Sequence, residues 1–134
     1  VSRNCSLFGS KWGRIAFLPT AIGSEPILDT DSQGHWQRTM QGHAAANITP
    51  VIAANRIDLE QVQPSDENGG QSSSLCFYGS SFLTDETGEL LTKAGREEEV
   101  VLLAMYDLDK GARERLDWGL FRDRRPHMYR RISE

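Results

Sequence analysis

The chain has 134 residues, of which 38% are hydrophobic, and it carries a formal net charge of -4 at pH 7. This length and composition predict one globular domain, and the negative charge disfavours nucleic acid as a partner. No apolar run reaches the ~20 residues that cross a bilayer, and no signal segment is recognised, so we expect a cytoplasmic protein without a membrane partner. Two distant cysteines, Cys5 and Cys76, predict reduced thiols rather than a disulfide framework.

The first predicted element is a short buried strand over residues 14–18, because Ile15 to Leu18 are contiguous apolar residues. Pro19 follows and cannot donate to a ladder. Residues 20–31 are rich in glycine, serine, proline and acidic residues, a composition that predicts an irregular loop. Ligands bind at such strand ends in open α/β sheets, so we expect functional residues in this loop.

A helix is predicted over about residues 35–47, with Ser32 or Gln33 as its cap. Its positions 36, 40, 43/44 and 47 fall near one face at three- and four-residue steps. Residues 51–54 (VIAA) then predict a second buried strand that ends at the Asn55 and Arg56 pair.

The second half of the chain predicts a loop, several strands and a helix. Residues 63–74 indicate a long exposed loop, with disorder expected at 68–70 (NGG). Strands are predicted at 75–78 and 81–83, with a hairpin turn at 85–88, and another strand in the strongly apolar stretch 98–106. Asp107 or Asp109 is expected to cap a helix that runs to about Leu116. Mixed helices and strands predict an α/β or α+β layered fold.

Four motifs then follow one another along the chain: residues 19–26 (PTAIGSEP), 55–56 (NR), 77–82 (FYGSSF) and 118–126 (WGLFRDRRP). In this order they resemble the C-terminal half of a nitrilase-superfamily carbon–nitrogen hydrolase, closest to the N-carbamoylputrescine amidases. The resemblance implies an α/β fold that is the second half of an α-β-β-α sandwich, with residues 1–134 forming a partial domain. It also implies an exposed apolar seam, unless the missing N-terminal half of the enzyme or another copy covers it.

The resemblance implies a cysteine nucleophile, a glutamate that moves protons and a lysine that stabilises the oxyanion. Their motif is absent, so we expect all three upstream of Val1, no catalytic residue in this chain, and no activity from the chain alone. Cys5 lies nearest the expected nucleophile, but its neighbours Asn4 and Ser6 do not match the family. We interpret Cys5 as non-catalytic and Cys76 as a packing residue within a strand.

Glu25 is the substrate-binding residue that the resemblance implies, with Thr20 and Ala21 flanking the nucleophile. Its carboxylate would pair with the ammonium group at the distal end of N-carbamoylputrescine. The reaction would give putrescine, carbon dioxide and ammonia within polyamine synthesis, and it needs no cofactor. Without the surrounding motif, Glu25 would be interpreted as a solvated loop acid.

Other polar residues fit structural roles better than chemistry. His35 and His43 are eight residues apart, too far for a metal-ligand pair on adjacent helical turns, so we expect no metal. Asn55 with Arg56 is expected to order neighbouring loops. Ser81 lacks the second glycine of a nucleophile elbow.

The C-terminal segment, about residues 118–134, is expected to serve assembly of a homo-oligomer. Its arginines alone would suggest a nucleic-acid patch, but the acidic net charge and the nearby Asp117 and Asp123 favour ion pairing at subunit contacts. The alternative function is a non-catalytic fragment or pseudoenzyme that acts as an assembly module. The predicted interface residues are Trp118, Phe121, Arg122, Arg124, Arg125 and Tyr129.

Overall fold

The computed structural model describes residues 13–129. Within them the strands are β1 (Ala16–Thr20), β2 (Gly23–Ser24), β3 (Val51–Asn55), β4 (Leu59–Val62), β5 (Ser73–Phe77), β6 (Phe82–Thr84) and β7 (Leu90–Lys93). The α-helices are α1 (Gln33–Asn47) and α2 (Leu108–Trp118), and a short 3-10 helix covers Pro126–Tyr129. The mixture of helices and strands confirms the predicted α/β class. No helix among residues 13–129 has the length and apolarity to cross a membrane.

The larger sheet has the strand order β1-β3-β6-β7. Strands β1 and β3 run parallel, while β3, β6 and β7 pair antiparallel. The carboxyl ends of β1 and β3 therefore meet at one edge of the sheet, where Thr20 lies opposite Asn55. The hairpin predicted around residues 85–88 is confirmed by the pairing of β6 with β7.

The smaller sheet is antiparallel and has the order β2-β5-β4. Strand β2 begins three residues after β1 ends, so this sheet is tied to the carboxyl edge of the larger one. Gly23 pairs with Phe77 in β5. A Cβ atom on Gly23 would lie 2.1 Å from the carbonyl oxygen of Cys76, so only glycine allows this close approach.

Helix α1 packs on the larger sheet and closes the core. The predicted helical face is confirmed, because Trp36 and Ala44 are buried and Met40 packs against the core. The Trp36 ring contacts Phe82 edge to face, with the centroids 5.3 Å apart. Ser32 occupies the N-cap position but forms no side-chain cap bond.

Two predicted elements differ at their ends, and one strand was missed. The first strand begins at Ala16 and continues through Pro19 to Thr20, which an edge position in the described sheet permits. The predicted loop at 63–74 is shorter, since β4 precedes it and β5 already begins at Ser73. Strand β4 was missed because all four of its residues are exposed and carry no apolar alternation that a core would impose.

The strand predicted at residues 98–106 is wrong as a paired strand: the described residues give this stretch no ladder. Exposure nevertheless alternates along it, because Val101, Leu103 and Met105 are 82%, 85% and 98% exposed while Leu102, Ala104 and Tyr106 are half-buried. This alternation is the side-chain pattern of a strand without its neighbour. We call residues 100–106 the open segment.

Candidate functional site

Asn55 organises the carboxyl edge of the larger sheet. Its Oδ1 accepts hydrogen bonds from the backbone N–H of Ile22 at 2.8 Å and from the Thr20 hydroxyl at 3.0 Å. Its Nδ2 donates to the carbonyl oxygens of Ile22 at 3.0 Å and Gly79 at 3.1 Å. An asparagine amide offers two acceptor positions and two donors, so all four are used. The structure agrees with the expectation that Asn55 orders loops.

The turn that Asn55 contacts is held in an unusual backbone conformation. Gly79 and Ser80 both have positive φ, at 53° and 56°. The Ser80 hydroxyl donates to the carbonyl oxygen of Tyr78 at 3.0 Å, and the Ser81 hydroxyl accepts from the backbone N–H of Asn55 at 2.9 Å. Both serines therefore serve the turn, as expected from the absence of a nucleophile elbow.

Glu25 immediately follows β2 and lines a cavity of ≈ 400 Å³. The turn that it starts is closed by a 2.9 Å hydrogen bond from the Leu28 N–H to the Glu25 carbonyl oxygen. Opposite lies the β4–β5 hairpin, which supplies Gln61, Gln63 and Ser74 among other uncharged residues. Glu25 is the one charged residue among the described residues that line this cavity.

Thr20 and Ala21 lie at the carboxyl edge of the larger sheet, outside the cavity that contains Glu25. Thr20 is half-buried, and its hydroxyl contacts the carbonyl oxygen of Ala54 as well as the Asn55 side chain. Ala21 is exposed. Neither residue lines the cavity that contains Glu25, so the structure does not bring the three predicted substrate-binding residues together in one pocket.

A second cavity, of ≈ 560 Å³, lies along the small sheet and includes Ser24, Cys76 and Tyr78. Ser24 and Leu59 lie directly opposite Cys76 in the two ladders, so the three residues form a row across the small sheet. Cys76 is exposed. Its predicted packing role is therefore wrong, because its position on β5 faces this cavity and not the core.

Arg96 forms one wall of the larger cavity. It pairs with Asp31 at 2.5 Å, and its guanidinium lies 5.6 Å from the centre of the Tyr78 ring. The backbone N–H of Gln33 and the Arg96 guanidinium lower the pKa of Asp31. Burial alone would raise the pKa of Tyr78, but hydrogen bonds from Ser24 and Ser32 outweigh it and lower this pKa.

These contacts of Asp31, Tyr78 and Arg96 were missed at the level of sequence, because the three residues are distant along the chain and belong to no recognised motif. The loop over residues 20–31 and the Asn55 and Arg56 pair, each directly after a predicted strand, were the signals that pointed to this edge. Residues 13–129 hold no group of three or more histidine, cysteine or acidic side chains that could bind a metal.

The remaining predicted residues are dispersed. Cys5 lies outside the described residues. His35 is exposed and His43 half-buried on α1. In the C-terminal segment Trp118 is 69% exposed, and Arg122 pairs with Asp123 at 2.8 Å. Phe121 is half-buried, Arg124 and Arg125 are exposed, and Tyr129 ends the 3-10 helix.

Comparison with known proteins places this geometry in context. Residues 22–114 match the carbon-nitrogen hydrolase family. An N-carbamoylputrescine amidase from Solanum tuberosum is 50% identical over 117 residues, which is 87% of this chain and 38% of that protein. A citrullinase from Francisella tularensis is 47% identical over 123 residues, which is 91% of this chain and 40% of that protein.

A solved structure agrees with the sequence matches. A carbon-nitrogen hydrolase from Helicobacter pylori G27 superimposes with a TM-score of 0.81 at 33% sequence identity. The match covers 97% of this chain and 44% of that one. The chain thus spans about two fifths of the length of the curated relatives it matches.

Proposed function

Because the chain belongs to the carbon–nitrogen hydrolase family, we propose that it is part of an amidase that cleaves a linear carbamoyl amide. The substrate is N-carbamoylputrescine, and the products are putrescine, carbon dioxide and ammonia. The observation that carries this proposal is Glu25, a charged residue among uncharged neighbours in a cavity at the end of β2. An ammonium group entering this cavity would have one carboxylate to pair with.

Two relatives favour two different carbamoyl substrates, since their names indicate N-carbamoylputrescine and citrulline. The two compounds share the carbamoyl group and differ at the distal end. Citrulline carries a carboxylate there in addition to its ammonium, and Glu25 would repel that carboxylate. We therefore expect N-carbamoylputrescine to have the higher kcat/KM, and citrulline is the second candidate.

The catalytic cysteine, glutamate and lysine belong, in this proposal, to a part of the whole enzyme that precedes this chain. The 134-residue chain by itself should then release no ammonia from N-carbamoylputrescine. Turnover by the chain that Cys5→Ser abolishes would contradict this assignment and would make Cys5 the nucleophile.

The exposed apolar side chains of the open segment support the proposal that this chain is part of a larger enzyme. Its exposed Val101, Leu103 and Met105 form an apolar row with no ladder partner among residues 13–129. Relatives have more than half their length outside the region matched here. In this proposal, the remaining part of the enzyme packs on this row and buries it.

The C-terminal segment is assigned to contacts between subunits. Trp118 is 69% exposed and Leu116, two residues earlier, is 74% exposed, and exposed aromatic residues beside arginines are enriched at protein interfaces. Deletion of residues 118–134 from the whole enzyme should lower its mass in light scattering. A truncated enzyme that keeps its oligomeric mass and loses salt-sensitive RNA binding would instead support the nucleic-acid interpretation.

The test of substrate recognition is Glu25→Gln in the whole enzyme. Loss of a charge-assisted contact is worth roughly 1.5–3 kcal/mol, so KM for N-carbamoylputrescine should rise by about tenfold to a hundredfold. KM for N-carbamoylbutylamine, which lacks the ammonium, should change little. Glu67→Gln is the matched control, because Glu67 is exposed in the β4–β5 connection and lies outside the Glu25 cavity.

Three outcomes separate the candidates. A selective rise in KM for the cationic substrate supports the proposal. An equal effect of Glu25→Gln on both substrates removes the recognition role. A whole enzyme that releases no ammonia from either carbamoyl compound or from citrulline, but still assembles, supports the assembly module or pseudoenzyme.

A further inference from the structure

The Asn55 side chain uses all of its hydrogen-bonding groups, and they fix the loop that leads to Glu25. We call this set of hydrogen bonds the clamp. The Asn55 amide makes four hydrogen bonds, and two of them hold the same residue, Ile22, through its N–H and its carbonyl oxygen. The Ile22 carbonyl oxygen also accepts a 3.1 Å hydrogen bond from the backbone N–H of Tyr78. Both backbone polar groups of Ile22 are thus fixed by residues distant in the sequence.

Two residues lie between Ile22 and Glu25, and the small sheet fixes both of them. Gly23 and Ser24 pair with Phe77 and Cys76 in β5. The contact is tight at Gly23, where a Cβ would meet the Cys76 carbonyl oxygen at 2.1 Å. Because a ladder has discrete registers, a loop held at Ile22 enters β2 in one register only.

Asn55 also ties this loop to the rest of the edge. The backbone N–H of Asn55 donates to the Ser81 hydroxyl at 2.9 Å, and its Nδ2 reaches the Gly79 carbonyl oxygen. The clamp therefore joins the end of β1, the end of β3 and the turn before β6. A displacement of any of these backbones would move the residue that follows β2.

We propose that Asn55 is a positioning residue for substrate recognition, which holds Glu25 at the place where it meets the distal ammonium of the substrate. It acts through Ile22 and β2 and touches no substrate. The inference rests on the proposed function for the identity of the ligand, and on the hydrogen bonds of Asn55 for the coupling.

The test is Asn55→Asp in the whole enzyme. The variant keeps the side-chain size and both acceptors, but it replaces the Nδ2 donors with an oxygen that faces the carbonyl oxygens of Ile22 and Gly79. KM for N-carbamoylputrescine should rise about tenfold, while kcat stays within about twofold and KM for N-carbamoylbutylamine is unchanged. Hydrogen exchange should become faster at the Tyr78 amide, which donates to the same Ile22 carbonyl oxygen that the new carboxylate repels.

Gly23→Ala provides a second variant that leaves Asn55 intact. Its added Cβ displaces β2 from Cys76, so it should reproduce the selective rise in KM even if Asn55→Asp fails to fold. The matched control is Arg115→Lys, which removes hydrogen bonds at the opposite end of β3 and should lower thermal stability without altering KM.

Two results overturn the inference. One is unchanged hydrogen exchange at the Tyr78 amide in Asn55→Asp, whatever Glu25→Gln does. The other is a rise in KM that is equal for the cationic and neutral substrates in both Asn55→Asp and Gly23→Ala, although Glu25→Gln distinguishes them. If Glu25→Gln itself shows no selectivity while exchange at the Tyr78 amide is accelerated in Asn55→Asp, the proposed ammonium site fails and the clamp on the loop stands.

Discussion

The guanidinium of Arg115 donates two hydrogen bonds to the carbonyl oxygen of Ile48, from Nε at 3.2 Å and from Nη2 at 2.9 Å. Ile48 follows the last residue of α1 and has a left-handed backbone with φ of 45°. Arg115 also donates to the Thr49 hydroxyl at 2.7 Å and to the Gly13 carbonyl oxygen at 3.1 Å. One side chain of α2 thereby fastens the end of α1 and the start of β3.

Replacement of Arg115 by lysine should destabilise the 134-residue chain by about 1–3 kcal/mol, because a single ammonium cannot reproduce the fork of donors and leaves backbone carbonyls unpaired. Urea unfolding monitored by tryptophan fluorescence measures the change. Arg113→Lys is the matched control, since Arg113 is exposed on the same helix. Equal midpoints for the two variants would contradict the role given to Arg115.

Glu86 should make the free energy of unfolding depend on pH in the acidic range. It lies in the β6–β7 turn, is buried, and pairs with Lys110 in the first turn of α2. The Lys110 ammonium lowers the pKa of Glu86 below the usual 4.5. Since the folded-state pKa is depressed, this stabilisation is present above about pH 4.5 and is lost as the pH falls through the folded-state value.

Glu86→Gln should therefore flatten the decline in the free energy of unfolding between neutral pH and pH 3. Urea unfolding of the chain at several pH values measures this slope. Asp31 and Asp107 also have lowered pKa values, so part of the decline should remain. A slope identical to that of the unsubstituted chain, or an equal flattening by the exposed-site control Glu67→Gln, would exclude Glu86 as the source.

The open segment allows a test that compares two contexts. Leu103 and Ile27 are 85% and 86% exposed, so Leu103→Lys and Ile27→Lys should each change the stability of the 134-residue chain by less than about 0.5 kcal/mol. In the whole enzyme, only Leu103→Lys should be strongly destabilising, by roughly 2 kcal/mol or more, because it would bury an unpaired charge. Thermal unfolding of both variants in both contexts decides whether another part of the enzyme covers Leu103.

Local sequence patterns predicted the two helices, because helical spacing or a capping residue marks each of them. Trp36, Met40 and Ala44 revealed α1 through their spacing. Of the two predicted caps of α2, the structure selects Asp107, whose carboxylate accepts from the N–H groups of Asp109 and Lys110. The helix extends two residues beyond the predicted end at Leu116, to Trp118, where Gly119 takes the left-handed C-cap conformation.

Contacts between distant segments could not be read in the same way. The pairing of Arg96 with Asp31 joins residues 65 positions apart, and no sequence period marks it. The open segment shows the opposite case: residues 98–106 have strand composition, but pairing depends on a neighbour that local composition does not specify. Glu25 was singled out by the motif around it, and the structure adds its cavity without testing its role.

The most direct test of the account is ammonia release by the whole enzyme from N-carbamoylputrescine and from N-carbamoylbutylamine, measured side by side. The two substrates share the carbamoyl group and the four-carbon chain and differ in the distal ammonium. The account predicts that kcat/KM is at least about tenfold higher for N-carbamoylputrescine, and that Glu25→Gln removes this preference. Equal kcat/KM values for the two substrates, or a preference that survives Glu25→Gln, would contradict it.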